Sequence, residues 1–189
     1  MAAKTLIESI ALTLTVQFVP RLLCPIFGVH FSVPEEFFPL ALPFVNLIVV
    51  CHGLRQAVHR IQYPNETIIS VAKTLMISTG GFHLIIVLLG APLFSMFWQT
   101  LALGNLLAAV TLLRIQMVQL ALTPKEDVFT SQAAPARAVR WSAAGAAAGA
   151  WAAAGALVLD WGGPWQAYPA PLVAGAEAGL VLGALAAAA

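Results

Sequence analysis

Six apolar segments dominate this chain, and they restrict its fold more than any other feature of the sequence. A transmembrane helix needs about 20 mostly apolar residues to cross the hydrocarbon core of a bilayer. Because unpaired backbone groups are costly in hydrocarbon, each segment should form a helix, whose backbone hydrogen bonds are internal. The sequence therefore predicts an all-α membrane protein, a polytopic bundle of about six transmembrane helices at residues 5–27, 37–55, 71–89, 93–113, 141–159 and 169–188.

The composition excludes a water-soluble fold. Of the 189 residues, 60% are hydrophobic and only 9% are charged, whereas a soluble domain carries charge on about a quarter of its positions. The net charge of +1, with no basic stripe, argues against a nucleic-acid partner. The apolar run after Lys4 lacks a small-residue cleavage site, so we expect the first span there and not a removed signal peptide. Residues 1–189 are predicted to form a single transmembrane helical domain.

The positions of the basic residues predict the orientation of the bundle. Cytoplasmic loops of membrane proteins carry an excess of Lys and Arg. With six spans, eight of the nine basic residues fall on the side of both termini, and only Arg21 falls opposite. Both termini are therefore predicted to be cytoplasmic, and the first, third and fifth connections to face the lumen or exterior. The eight residues are Lys4, Arg55, Arg60, Lys73, Arg114, Lys125, Arg137 and Arg140.

Small residues recur at helical spacing on the last two predicted spans. Helices in lipid associate through close packing and polar contacts, because lipid tails are as apolar as leucine. The fifth span carries Gly145 and Gly149, and the sixth carries Gly175, Gly179 and Gly183. Packing within this chain is the favoured interpretation, with packing against another subunit, or chance in an Ala-rich helix, as alternatives. Similar stripes occur on the third span (Thr74, Ser78, Gly81) and the fourth (Gly104, Ala108, Thr111).

A carboxylate in the sixth span, Glu177, should be protonated, paired or covered by protein, because a lipid-facing charge is energetically costly.

The sequence contains no nucleophile, metal-ligand or phosphate-loop motif. His30 with Glu35 and Glu36 is better explained as a solvated loop than as a cation site. The sequence predicts no catalytic residue, no metal site and no cofactor on this chain.

The second half of the chain carries a distinctive series of motifs. Phe82-His83 precedes Gly90-Ala91-Pro92, then Gly149-Ala150-Trp151, and then Leu159-Asp160-Trp161, followed after two residues by Pro164-Trp165-Gln166. From about Phe82 to Gly183 the chain resembles the phosphatidylinositol-glycan biosynthesis class F protein family. The resemblance implies a non-catalytic, multi-pass subunit of the endoplasmic reticulum membrane. It would bind and stabilise a large ethanolamine phosphate transferase of glycosylphosphatidylinositol (GPI) anchor biosynthesis, with the catalytic metal on that partner.

The matching residues are candidates for a lumenal rim that docks the partner or the lipid-linked glycan. Simpler explanations are an interfacial aromatic belt for Trp161, Trp165 and Tyr168 and an interhelical hydrogen bond for His83. Two other functions stay open: a lipid- or glycolipid-binding or flipping protein that presents the GPI precursor, and an intramembrane transferase using His83 and Asp160. The candidate rim residues are His83, Gly90, Pro92, Asp160, Trp161, Pro164, Trp165 and Gln166.

Overall fold

The structure, a computed structural model, describes residues 64–122, 125–159 and 168–188. These residues form four helices and contain no strand: α1 (Pro64–Leu88), α2 (Phe97–Ala121), α3 (Ala134–Val158) and α4 (Ala170–Ala188). Within the described ranges three stretches are long and apolar enough to cross a membrane, namely Ile69–Leu88, Phe97–Ala121 and Ala170–Ala188. The all-helical class is confirmed for this part of the chain. The first two predicted spans lie outside it, so the count of six stays a prediction.

The helices extend beyond the predicted apolar segments at their polar ends. The helix α1 begins at Pro64 and not at Val71, and α3 begins at Ala134, well before Trp141. Proline is tolerated in the first turn because the N–H it lacks has no partner within the helix there, and Pro135 occupies such a position in α3. The segment 93–113 is displaced: residues 93–96 are turns, and α2 continues to Ala121. Only α4 closely follows its predicted bounds.

A π turn divides α2. The segments Phe97–Ala108 and Arg114–Ala121 are α-helical, and Ala109–Leu113 between them is π-helical. The Thr111 hydroxyl lies in this turn and donates to the Leu107 carbonyl at 2.5 Å. A π turn widens the helix locally and so changes the direction in which the following side chains point. Along its length, α2 contributes to three separate apolar clusters, and residues of the π turn belong to two of them.

The main core lies where the four helices meet. At its centre, Leu103 and Leu106 of α2 are 0% and 1% exposed. A smaller cluster joins α2 to α1 through Val71, Ala109 and Leu113. The main cluster takes Ile86 from α1, and its other members are Leu103, Leu106, Leu107, Val110, Ala146, Ala150, Leu172, Val173, Ala176 and Leu180.

The helices α3 and α4 pack antiparallel along a shared line of glycines. A methyl group on Gly145 would overlap the carbonyl oxygen of Gly179, and one on Gly149 would overlap that of Gly175. At the end of the line, a methyl group on Gly183 would overlap the Trp141 carbonyl oxygen. The structure thus places all five glycines at a contact between two helices of this chain, where the two backbones touch directly.

Side-chain hydrogen bonds stabilise the connection between α2 and α3. The Gln119 amide nitrogen donates to the Glu126 carbonyl at 2.9 Å, and the Gln119 oxygen accepts from the Val128 amide at 2.7 Å. From α3, Arg140 donates to the Val128 and Ser131 carbonyls. Val128 itself is 1% exposed and packs against Ala136 and Val139. The connection is therefore packed against both helices and hydrogen-bonded to them.

The described basic residues lie at one end of the bundle. The Gln116 amide donates to the Ser70 hydroxyl at 2.8 Å, which brings the first half of α1 beside the last turns of α2. Lys73, Arg114, Lys125, Arg137 and Arg140 therefore share this end. Such clustering is what the predicted orientation requires of these five residues. The side of the membrane that this end faces stays a prediction.

Candidate functional site

The candidate site lies at the opposite end of the bundle, where the turn between α1 and α2 meets the start of α4. The amides of Gly90 and Ala91 donate to the Val87 and Ile86 carbonyls at 3.0 and 3.2 Å, which ends α1. Gly90 has a φ of 107°, a left-handed conformation that residues with a Cβ rarely adopt. Pro92 follows and cannot continue the helix, because it lacks an amide hydrogen. The Gly-Ala-Pro motif is thus explained as a helix stop.

His83 lies on α1, close to the backbone of α2. A methyl group built on Gly104 would come within 3.0 Å of the His83 amide nitrogen and 3.1 Å of the Thr79 carbonyl oxygen. The His83 ring meets the Phe97 ring edge-on, with the centroids 5.1 Å apart. Its Nδ1 atom is enclosed, and no residue of the described ranges bonds to it. The glycine lets the two backbones approach, and this approach brings the imidazole against an aromatic ring.

Tyr168 connects the start of α4 to α2. Its hydroxyl donates to the Thr100 hydroxyl at 3.0 Å, and Thr100 in turn donates to the Met96 carbonyl at 2.9 Å. Burial raises the pKa of the Tyr168 phenol, although the hydrogen bond to Thr100 acts in the opposite direction. The phenol therefore remains a protonated donor throughout the physiological pH range. Unlike a residue of an outer aromatic belt, Tyr168 directs its polar group inward.

Replacing Tyr168 with Phe should lower the free energy of unfolding by about 1 kcal/mol, the usual net contribution of one hydrogen bond. The ring would be kept, so the effect would report the hydroxyl alone. Because the phenol pKa is raised in the folded state, the wild-type advantage should persist at neutral pH and disappear as the pH rises past about 10. Unfolding in detergent, followed by circular dichroism at pH 7 and pH 11, measures both effects. An equal difference at the two pH values would contradict the assignment.

The remaining candidate residues fall in two groups. His83, Gly90 and Pro92 lie in or beside the turn between α1 and α2, with Tyr168 and Thr100 at the same end. The other five, Asp160, Trp161, Pro164, Trp165 and Gln166, lie outside the described residues. The Trp-rich motif therefore stays a prediction from the sequence. In the described ranges, no three His, Cys, Asp or Glu residues come together as metal ligands.

Sequence reasoning did not single out several polar residues that the structure brings together. Asn105 of α2 donates to the Thr79 hydroxyl of α1 at 3.3 Å, next to the Gly104 contact. Thr100 bridges α2 to Tyr168. The available signal was a lone polar residue in an apolar helix, which usually faces protein. Glu177 gave that signal, and it is indeed covered, at 5% exposed.

The sequence model of the GPI biosynthesis protein family Pig-F matches residues 2–188, nearly the whole chain. The chain belongs to this family. Membership in the Pig-F family places it among the proteins of GPI-anchor biosynthesis, and its apolar helices make it a membrane protein.

One relative of this Pig-F chain is the glycosylphosphatidylinositol anchor biosynthesis protein 11 of Aspergillus fumigatus. The two are 35% identical over 121 residues, which are 62% of this chain and 40% of the relative. The chain thus matches well under half the length of that relative. No solved structure matches the chain.

Proposed function

We propose that this chain is a non-catalytic subunit of the endoplasmic reticulum membrane that binds and stabilises a GPI ethanolamine phosphate transferase. Its membership in a GPI biosynthesis family supports the pathway. The motif resemblance described above supports the role of a subunit. On this proposal the transferase supplies the catalytic metal and the reacting groups, and this chain supplies helix surfaces.

The observation that carries the proposal is the unequal burial of the helices. Only 17% of the membrane-length stretch of α1 is buried, against 61% for α2 and 50% for α4. The five glycines at which α3 and α4 touch are already occupied by the contact between those two helices. A partner therefore has to use another surface, and of the three membrane-length stretches in the described residues α1 has the smallest buried fraction.

The outward face of α1 has a shape that suits a second helix. Gly80 and Gly81 are exposed, with nothing within 4 Å of a Cβ built on either. The large exposed side chains Met76, Ile77 and Leu84 flank them, so the two glycines form a recess between apolar ridges. In lipid, helices pair most closely where small residues let the backbones approach. We assign this face to a membrane helix of the transferase.

The test substitutes Gly81 with Leu in the full-length chain. A leucine fits at this position because the surrounding space is open, so the chain should fold, but the recess would be filled. We expect recovery of the transferase with the tagged chain, after extraction in mild detergent, to fall about tenfold, which corresponds to 1.4 kcal/mol.

The matched control is Gly155→Leu on α3, a position that is also exposed and has nothing within 4 Å of its Cβ. It introduces the same side chain on a different helix and should leave recovery of the transferase unchanged. Equal loss in both variants would overturn the assignment to α1. Wild-type chain that purifies alone, stable and monodisperse, would overturn the proposed function.

A further inference from the structure

Arg114 is a membrane-embedded charge that the proposed function does not use. It is the only charged residue of α2 and directly follows the π turn. The helix continues for seven residues after it, to Ala121, which is about 10 Å along the helix axis. Long arginine side chains near a helix end extend toward the interface, so the guanidinium can approach the border of the hydrocarbon core, where lipid phosphates lie.

The guanidinium of Arg114 lacks an acceptor in the described part of the chain. Its Nη2 atom is enclosed and no residue there bonds to it, while the side chain as a whole keeps partial exposure. The neighbouring Gln116, by contrast, donates to Ser70 of α1 at 2.8 Å. Because removing a cation from water costs several kcal/mol, such a group needs an anion. The Nη2 atom is thus enclosed, while the residue as a whole keeps intermediate exposure.

The charges that share this end of the bundle favour an external anion. Lys73 of α1, Lys125 of the connection, and Arg137 and Arg140 of α3 are all basic. The acidic residues of the connection, Glu126 and Asp127, are exposed, and Asp127 accepts a hydrogen bond from the Phe129 amide. Several basic residues at a membrane border attract anionic lipids, each contributing about 1 kcal/mol.

We propose that Arg114 binds the phosphate group of an anionic membrane lipid. The planar guanidinium presents paired N–H donors that match two phosphate oxygens, and such charge-assisted bonds are strong when water is excluded. The lipid phosphate would supply the acceptor that the guanidinium lacks, approaching through the exposed part of the side chain. The basic residues at the same end would raise the local concentration of anionic headgroups.

The test measures lipid retention by the purified full-length chain with native mass spectrometry. The probes are phosphatidylglycerol and phosphatidylcholine with identical acyl chains. Wild-type protein should retain phosphatidylglycerol preferentially, and Arg114→Gln should weaken that retention about tenfold, the loss expected when a charge-assisted hydrogen bond is removed. Arg137→Gln removes the same charge from an exposed position of α3 and should have a smaller effect.

Three results would overturn the proposal: no preference for phosphatidylglycerol in the wild type, equal losses in the two Gln variants, or displacement of the lipid by millimolar inorganic phosphate. The last would indicate a site for free anions. If Arg114→Gln does not fold, Arg114→Lys carries the test, because it keeps the charge but loses the planar pair of donors. It should weaken retention at least twofold, and unchanged retention would reject the guanidinium contact.

Discussion

Replacing Gly149 with Val should separate α3 from α4 and lower the free energy of unfolding by about 3 kcal/mol or more. Even one methyl group at this position would overlap the Gly175 carbonyl oxygen, which is backbone and cannot rotate away. Lipid does not drive two apolar helices together, so close packing is the main force that holds this pair. Thermal unfolding in detergent, followed by circular dichroism, should show the lowered midpoint.

The control for this prediction is Gly155→Val on the same helix. The substitution makes the same change in side chain and helix propensity, but nothing lies within 4 Å of a Cβ at Gly155. The midpoint of this variant should stay close to that of the wild type. If Gly155→Val unfolds as readily as Gly149→Val, helix propensity and not the contact with α4 would explain the loss.

The glycine contact between α3 and α4 was predicted from the sequence only in part. Glycines that recur at every fourth residue predict two smooth helix faces, one with Gly145 and Gly149 and one with Gly175, Gly179 and Gly183. Spacing alone does not say whether such a face meets its own chain or another subunit, because both contacts require the same small residues. The structure puts these two faces against each other. The proposed partner therefore meets the exposed face of α1 and not these two glycine faces.

The stripe of Thr74, Ser78 and Gly81 shows where spacing misleads. The spacing predicts one face of small residues, but Gly104 of α2 approaches the backbone of Thr79 and His83. Ser78 is buried, whereas Gly81 is exposed. The rotation of α1 is set by which large side chains fill the core, Val71 and Ile86 among them. A pattern of small residues does not contain that information.

The ends of the helices could not be predicted from hydropathy for a related reason. Hydropathy locates the apolar part of α2 but does not detect that the helix continues past Arg114. The connection to α3 is held by Gln119 and Arg140, which bond to backbone groups nine positions away. At the candidate site, the Gly90 turn follows directly from local chemistry. The bond between Tyr168 and Thr100, 68 positions apart, does not.

Replacing Leu103 with Ala should lower the free energy of unfolding by about 2–3 kcal/mol, toward the lower end of the range for buried leucines. Leu103 is 0% exposed and belongs to the cluster that joins α2 to α1, α3 and α4. In lipid, little of the loss comes from transfer of apolar surface, because the surroundings of the unpaired helix are apolar as well. The loss is instead that of van der Waals contacts around the space left behind. Urea unfolding in lipid–detergent mixtures would measure it.

The comparison with Leu112→Ala separates packing from apolar character. Leu112 belongs to the same helix but is 43% exposed, so its truncation removes the same atoms and opens no cavity. Its effect should stay within about 0.5 kcal/mol, as for a surface substitution. Equal losses at the two positions would mean that exposure does not distinguish them, and Leu103 would then not be the centre of a packed core. A large loss in the free energy of unfolding at Leu103 alone would show that close packing of side chains stabilises the interior of this bundle.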